Sequence, residues 1–282
     1  MTTACLGLHL AEWLSNRLPQ ASAVEWADHV ADLWWRCRVG DRRILQANLD
    51  LVLGGGPSNT APMVRDAFRN FGRYLVEFFT IHRVPQPHVD VEGYEHLVGA
   101  QRAARGSILL SAHLGNWELA GVVLCRMGFQ VSAVALPHRD STSNRLFNRQ
   151  RVRCGLDVIP VGRGATSQCL QRLREGRLVG LVGDWALGHD GVVVSLCGQP
   201  VRLPRGPAIL SLRSQAPVVP LFLVREGVWR FRLLIEPPIW PAQQPKEEAM
   251  RHLMQTYAEA LERLVKRFPS QWLLFHPLVR RR

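Results

Sequence analysis

From Ser107 onward the sequence keeps one rhythm: a short apolar run, a helical pattern, then another short apolar run. The runs Ser107–Ser111, Val131–Ala135, Leu178–Val182, Val192–Leu196, 218–224 and 231–235 are five to seven residues long and read as strands. Between and after them, residues 117–127, 143–154, 165–175 and 207–214 space their apolar positions as helices do. Lys246–Arg267 makes a long last helix with Pro269 beyond it. Strands that alternate with helices must have their sheet covered by those helices. The expected fold is therefore α/β, with a mixed, largely parallel sheet flanked by helices.

Residues 6–80 carry a helical pattern, broken at Pro19, at residues 39–41 and at Gly54-Gly55-Gly56-Pro57. The glycine run is a loop and not a phosphate cradle, because no Gly-Lys-Ser/Thr follows it. The chain thus divides into a helical N-terminal region, 1–90, a candidate for facing a membrane, and an α/β domain, 91–282, with a linker at 84–89. Trp13, Trp26, Trp34, Trp35, Phe78 and Phe79 fall where helices bury them. Core packing is the favoured reading of these rings, and a face that dips into a lipid interface is the alternative.

Charge narrows the partners more than the fold. Lys plus Arg number 35 against 23 acidic residues, a formal charge of +12, and only Lys246 and Lys266 are lysine. Such a surface attracts nucleic acid, anionic lipid head groups or an acidic carrier protein. Cys5, Cys37, Cys125, Cys154, Cys169 and Cys197 form no Cys-x-x-Cys pair and have no His at ligand spacing. They read as reduced thiols of a cytosol-facing protein, not as a zinc site or disulfide framework. Residues 1–10 lack the regions of a signal peptide, and no apolar run approaches the roughly 18 to 20 residues of a spanning helix. Work at a membrane would be peripheral.

The most informative stretch is Ser111-Ala-His-Leu-Gly-Asn-Trp-Glu-Leu-Ala-Gly121, which follows a buried strand and opens a helix. Open α/β sheets place ligand sites at such strand ends. His113 and Glu118 are five residues apart, roughly 140° around an ideal helix, so His113 must lie in the turn before it. Gly115 gives that turn its freedom, Asn116 caps the helix, and Glu118 in the first turn can reach back toward the imidazole. A carboxylate on one ring nitrogen fixes the tautomer while the other nitrogen takes a proton from a hydroxyl. This is the base half of a hydrolase triad without an enzyme serine, so the hydroxyl would belong to the substrate. The spacing is equally that of a structural histidine and a glutamate complementing the helix dipole.

The segment resembles the His-x-x-x-x-Asp/Glu signature of the glycerolipid acyltransferase superfamily. Its His-Leu-Gly-Asn-Trp-Glu context is similar to the lipid A late acyltransferase (lauroyl/myristoyl) branch, which includes the phosphatidylinositol mannoside acyltransferases. Further blocks resemble that branch in the same order. They are Val161-Gly-Arg163 with the helix, glycine, strand and Asp184 that follow; Leu196 to Gly206; Ala216-Pro-Val-Val-Pro220; and Pro269-Ser-Gln-Trp-Leu-Leu-Phe-His276. The resemblance implies that His113 is a general base, Glu118 its orienting partner, and Asn116, Arg163 and Asp184 substrate-side residues. It implies acyl transfer from a thioester of acyl carrier protein or coenzyme A to a lipid hydroxyl, without metal or other cofactor. The expected place is the cytoplasmic face of the bacterial inner membrane, with anionic lipids as partners and no nucleic acid. Arg145, Arg149, Arg151 and Arg153 form a run suited to the donor or an anionic acceptor, or simply a solvated helix face.

The sequence departs from the branch in three places: no spanning helix at its start, Trp185 after Asp184, and Cys197 before Gly198. Two other classes are weaker. A nucleic-acid-binding module would show a helix-turn-helix, zinc ligands or stacking aromatics, and a serine hydrolase would show Gly-x-Ser-x-Gly. A non-catalytic basic lipid- or nucleic-acid-binding protein is the remaining alternative. The enzyme reading requires His113 and Glu118 to face each other beside an apolar tunnel.

Overall fold

Proline and glycine cut the N-terminal third into four helices: α1 (Thr3–Arg17), α2 (Gln20–Cys37), α3 (Val39–Leu53) and α4 (Pro57–Thr80). The computed structural model describes residues 3–84, 87–103, 106–138, 140–186 and 191–279. Pro19 stands just before α2, Gly54 closes α3 at φ +66°, and Pro57 opens α4. The break expected at 39–41 falls at Arg38 instead, and Val39 already belongs to α3.

Helix α4 is the hub on which α1, α2 and α3 pack. A Cβ at Gly72 would stand 2.9 Å from the Ala27 carbonyl oxygen, so the approach of α2 to α4 depends on glycine. Beside that contact Asp32 accepts forked hydrogen bonds from Arg65 and Arg69, and Asp28 accepts a fork from Arg73. Hydrogen bonds from Arg65 and Arg69 hold the Asp32 carboxyl well below the usual carboxylate range.

Phe78 and Phe79 are buried, and Trp34 and Trp35 pack against the core. Trp13 and Trp26 are not core residues: they are 54% and 55% exposed, and Leu10, Val30 and Leu33 are exposed beside them in the sequence. The helices spend their other faces on α4, which leaves these side chains outside.

The remaining elements are β1 (His88–Glu92), α5 (Tyr94–Ala103), β2 (Ser107–Ser111), α6 (Trp117–Arg126), β3 (Val131–Ala135) and α7 (Ser141–Arg153). Then come β4 (Asp157–Pro160), α8 (Ala165–Arg174), β5 (Leu178–Val182), β6 (Val192–Leu196) and β7 (Gln199–Leu203). Last are α9 (Gly206–Ser214), β8 (Val218–Gly227), β9 (Arg230–Ile235) and α10 (Lys246–Arg267). Seven strands form one sheet in the order β1-β9-β8-β2-β5-β3-β4, parallel at every pairing except β8 with β9. The fold is thus α/β with a mixed, largely parallel sheet flanked by helices.

Four elements, β1, α5, β4 and β7, lie outside the expected pattern, and the expected strand β6 stands outside the main sheet. The supposed linker at 84–89 runs into β1, an edge strand whose residues are exposed or half-buried and show no apolar run. Helix α5 follows it, and β4 is only four residues long and ends on proline. Strand β6 leaves the sheet to form a hairpin with β7, held on α10 by Gln255, whose amide oxygen accepts from the Ser195 N–H at 2.8 Å.

Core residues alternate across β2 as the strand period requires. Ile108 and Leu110 join Phe68, Tyr257 and Trp272 on one face, while Leu109 joins Leu97 and Leu119 on the other. Leu45 and Leu49 of α3 belong to the first cluster, so the helical region and the sheet share a core. Each such aliphatic side chain contributes about 1.5–3 kcal/mol on burial. Among the described residues, no helix is long and apolar enough to cross a membrane.

Candidate active site

The turn between β2 and α6 is bonded residue by residue to its surroundings. The His113 N–H donates to Asp184 Oδ2 at 2.9 Å, and its carbonyl accepts from the Leu273 N–H at 2.6 Å. Gly115 donates to the Gln271 carbonyl at 2.9 Å, and Asn116 donates to the Leu223 carbonyl at 2.8 Å. Gly115 has φ +67°, and a Cβ there would lie 2.0 Å from the Leu223 oxygen. Only glycine permits that approach. Asn116 Oδ1 accepts from Leu119 N–H at 3.0 Å, which is the expected N-cap.

Behind the turn lies a buried polar network. Asn116 Nδ2 donates to Glu77 Oε2 at 2.9 Å, and Glu77 accepts two hydrogen bonds from Arg225. Arg225 also donates to Asn70 Oδ1 at 2.6 Å, and Asn70 donates to the Ser270 carbonyl at 2.8 Å. The Gln271 side chain brackets the Arg225 backbone, accepting from its N–H and donating to its carbonyl, each at 2.8 Å. A buried network of this kind holds shape because every partner lost leaves a desolvated charge. It ties α4, β8, the turn and residues 269–273 into one frame.

On this frame the His113 ring meets Asp184. Nδ1 is 2.7 Å from Asp184 Oδ1, and Asp184 Oδ2 also accepts from Trp272 Nε1 at 3.0 Å. The Asp184 side chain is fully buried and that of His113 is 28% exposed. A carboxylate only accepts, so Nδ1 carries the proton and the neutral ring keeps its lone pair on Nε2. Burial draws the imidazole pKa down, but the charge and hydrogen bond of Asp184, joined by the charge of Glu118, hold it above the ordinary value. Burial pushes the Asp184 carboxyl up, yet the His113 charge and the bonds from His113 and Trp272 hold it below the usual range. Trp117 stands edge-on to the His113 ring at 4.9 Å and stacks on Tyr74 at 4.5 Å.

Glu118 does not meet His113, contrary to the pairing that the enzyme reading was expected to require; the carboxylate facing the imidazole is that of Asp184 instead. Its carboxylate accepts from Arg151 Nε at 2.9 Å and from Arg151 Nη2, and both side chains are 8% exposed. The cause is geometric. Glu118 is carried round the first turn of α6 toward α7, whereas β2 and β5 are parallel neighbours paired Ser111 with Val182. Two residues beyond each of those lie His113 and Asp184, side by side at a strand spacing of about 4.8 Å. Parallel pairing across the sheet therefore outcompetes nearness in sequence.

Two other expected residues also stand differently. Asn116 is buried, with its amide spent on the helix cap and on Glu77, so it supports the turn and is not placed to touch substrate. Arg163 is exposed in the turn between β4 and α8. That is the same end of the sheet as His113 but three strands along. Of the arginine run in α7, Arg145 and Arg149 are exposed while Arg151 is buried.

The residues that pattern reading missed are Glu77, Arg225, Trp272 and Tyr257, the last donating from its hydroxyl to the Ser111 carbonyl at 2.7 Å, while Arg151 stands out in the sequence as a ligand-facing or solvated residue and not as the partner of Glu118. Trp272 had a signal in the closing block of the resemblance. The others are single residues whose partners lie far off in the chain. Among the described residues, no group of three or more His, Cys, Asp and Glu is placed to hold a metal ion.

Comparison with known proteins bears on the family of the chain. A family profile described as bacterial lipid A biosynthesis acyltransferase matches residues 3–281. The chain is similar to the phosphatidylinositol mannoside acyltransferase of Mycobacterium tuberculosis (strain CDC 1551 / Oshkosh), with 28% identity covering 98% of this chain and 88% of that protein. It is 26% identical to the lipid A biosynthesis palmitoleoyltransferase of Escherichia coli (strain K12), over 83% of this chain and 76% of the relative. The solved structure of the 1-acyl-sn-glycerophosphate acyltransferase PlsC from Thermotoga maritima aligns with 88% of this chain and 99% of its own. Its identity is 16% and its TM-score 0.41.

Proposed function

The chain belongs to the bacterial lipid A biosynthesis acyltransferase family, and on that premise we propose that it moves a fatty acyl chain from a thioester to a glycolipid hydroxyl with His113 as base and Asp184 as its partner. Membership makes it an O-acyltransferase of membrane glycolipids. The observation that supports the residue assignment is the 2.7 Å contact of His113 Nδ1 with a fully buried carboxylate, which directs the free Nε2 to act as acceptor.

The steps follow from that tautomer. Nε2 takes the proton of the acceptor hydroxyl, and the oxygen attacks the thioester carbonyl. Asp184 stabilises the imidazolium that forms. When the tetrahedral intermediate collapses, the carbon–sulfur bond breaks, the new ester is complete, and the departing thiolate takes the proton back from His113. The donor is a thioester of acyl carrier protein or coenzyme A, both acidic and suited to a chain of charge +12. The acceptor is a hydroxyl of a membrane glycolipid, the class common to phosphatidylinositol mannoside and the lipid A precursors. Glu118 is assigned to holding Arg151, not to orienting the base.

Membrane contact is peripheral in this reading, at the cytoplasmic face of a bacterial inner membrane. It is supported by the exposed Leu10 and Trp13 of α1 and Trp26, Val30 and Leu33 of α2, with the Arg17 guanidinium 5.4 Å from the Trp13 ring. Aromatic rings beside cations suit a lipid interface with anionic head groups. Vesicles containing anionic lipid should retain the protein, and Trp13→Ser with Trp26→Ser should weaken that retention.

The reaction is tested by incubating purified protein with acyl carrier protein or coenzyme A thioesters and either phosphatidylinositol mannoside or a lipid A precursor. Mass spectrometry should find one added acyl chain on the lipid. His113→Ala should lower the rate by about 10²- to 10⁴-fold without loss of the folded state. Absence of acylated lipid from wild-type protein with every donor–acceptor pair would overturn the reading.

A further inference from the structure

Beside the His113–Asp184 pair stands an aromatic couple that the mechanism does not use. Trp185 directly follows Asp184, and its ring lies parallel to that of His276, with centroids 3.9 Å apart and planes 8° from parallel. His276 is exposed and Trp185 half-buried, whereas Asp184 and Trp272 are buried. The couple therefore sits at the rim while the carboxylate that it adjoins sits within.

The His276 ring is presented from a fixed backbone. Its carbonyl accepts from Asn48 Nδ2 at 2.9 Å, and Asn48 also bonds Leu274 and Leu278 on either side. Three residues before it, Leu273 donates to the His113 carbonyl, so the segment that carries His276 also braces the base. Among the described residues, none hydrogen-bonds the His276 ring. Stacking on an indole fixes the plane of an imidazole yet leaves both ring nitrogens available at its edge.

We propose that His276, held by its stack on Trp185, is an acceptor-binding residue that hydrogen-bonds a hydroxyl of the polar head group next to the one His113 deprotonates. The assignment rests on His113 being the base and adds the residue that recognises the acceptor. Three features fit a polyol. A neutral imidazole offers one donor and one acceptor nitrogen, which is the inventory of a hydroxyl. Burial draws the His276 pKa below the ordinary value, and the charge of His113 adds to this against the opposing charges of Asp184 and Asp41, which favours the neutral ring. Trp185 supplies apolar surface beside the imidazole against which the carbon skeleton of a sugar can rest.

The test separates recognition from chemistry by using two acceptors on the same enzyme. One is phosphatidylinositol mannoside or a lipid A precursor, and the other is water, read as thioester hydrolysis without lipid. His276→Phe keeps a stacking ring and removes the hydrogen bonds; it should raise the lipid KM about five- to tenfold and leave hydrolysis unchanged. His276→Gln restores a donor and an acceptor and should recover most of that KM. Trp185→Leu removes the platform and should raise the lipid KM in the same direction. An unchanged lipid KM in His276→Phe overturns the proposal, as does an equal loss in both reactions, which would mark a residue that only supports the fold. A wild-type protein that hydrolyses thioester yet acylates no lipid defeats the transferase reading itself, whatever His276 does.

Discussion

Two buried carboxylates lie near one imidazole, and their partners separate their work. Asp184 faces His113, a group that titrates near neutrality and is 28% exposed. Glu118 faces Arg151, a cation at every accessible pH, with both side chains at 8% exposure. The first pair can pass between two protonation states during a reaction. The second can only hold α6 to α7. A conserved-looking motif spacing therefore does not tell which acid serves the base; the permanent or titratable character of the partner does.

The comparison breaks most visibly at Asp184. Asp184→Asn removes the charge that favours the imidazolium and admits the wrong tautomer, so kcat should fall by about 10²- to 10⁴-fold. The pH profile carries a sign as well. His113 acts when deprotonated and its pKa is raised, so wild-type activity should climb through a pH above about 6.5, the ordinary imidazole value. Without Asp184 the influence of burial remains, and the climb should move to lower pH. A profile that stays put would show that Asp184 does not govern the base.

Glu118→Gln is the counterpart. It should change kcat by less than about tenfold and shift the pH profile only slightly downward, because Glu118 acts on His113 through its charge alone. Its cost should fall on the fold instead, about 3–5 kcal/mol, since Arg151 is left buried without its acid. Denaturant melts of Glu118→Leu combined with Arg151→Met should recover much of that loss. If Glu118→Gln instead reproduced the Asp184→Asn profile, the two acids would have been assigned the wrong way round. A smaller effect than that of Asp184→Asn is expected at Trp272, which supplies one of the bonds to Asp184. Trp272→Phe should lower kcat about three- to tenfold and move the profile down by less than Asp184→Asn does.

Much of the site was legible because it is local. Strand β2, the turn at His113, the cap at Asn116 and the start of α6 all follow from residues within reach of one another, and β3, β5, β6 and α10 matched the apolar pattern to the residue. The partner of His113 was not legible, because it depends on β5 lying beside β2 in register, a fact of sheet order. Asp184 stood among the expected polar positions, but nothing in its neighbourhood named its contact. Strand β1 escaped because an edge strand needs no apolar run, and β6 was placed in the wrong sheet because a hairpin strand carries the same period. Trp13 and Trp26 were read as core on helical spacing, which marks a face but cannot say what covers it.

The segment from Pro269 to Leu278 follows α10 and holds only a short 3-10 turn at Pro269–Gln271, yet it supplies Trp272 to Asp184, Leu273 to His113 and Gln271 to Gly115. This segment must dock before the site is complete. Until it arrives, Asp184 lacks its indole donor and the His113 turn lacks two of its braces. The base is therefore set only once the stretch after α10 has docked, and losing that stretch would take Trp272, Leu273 and Leu274 from the core along with the bonds to the site.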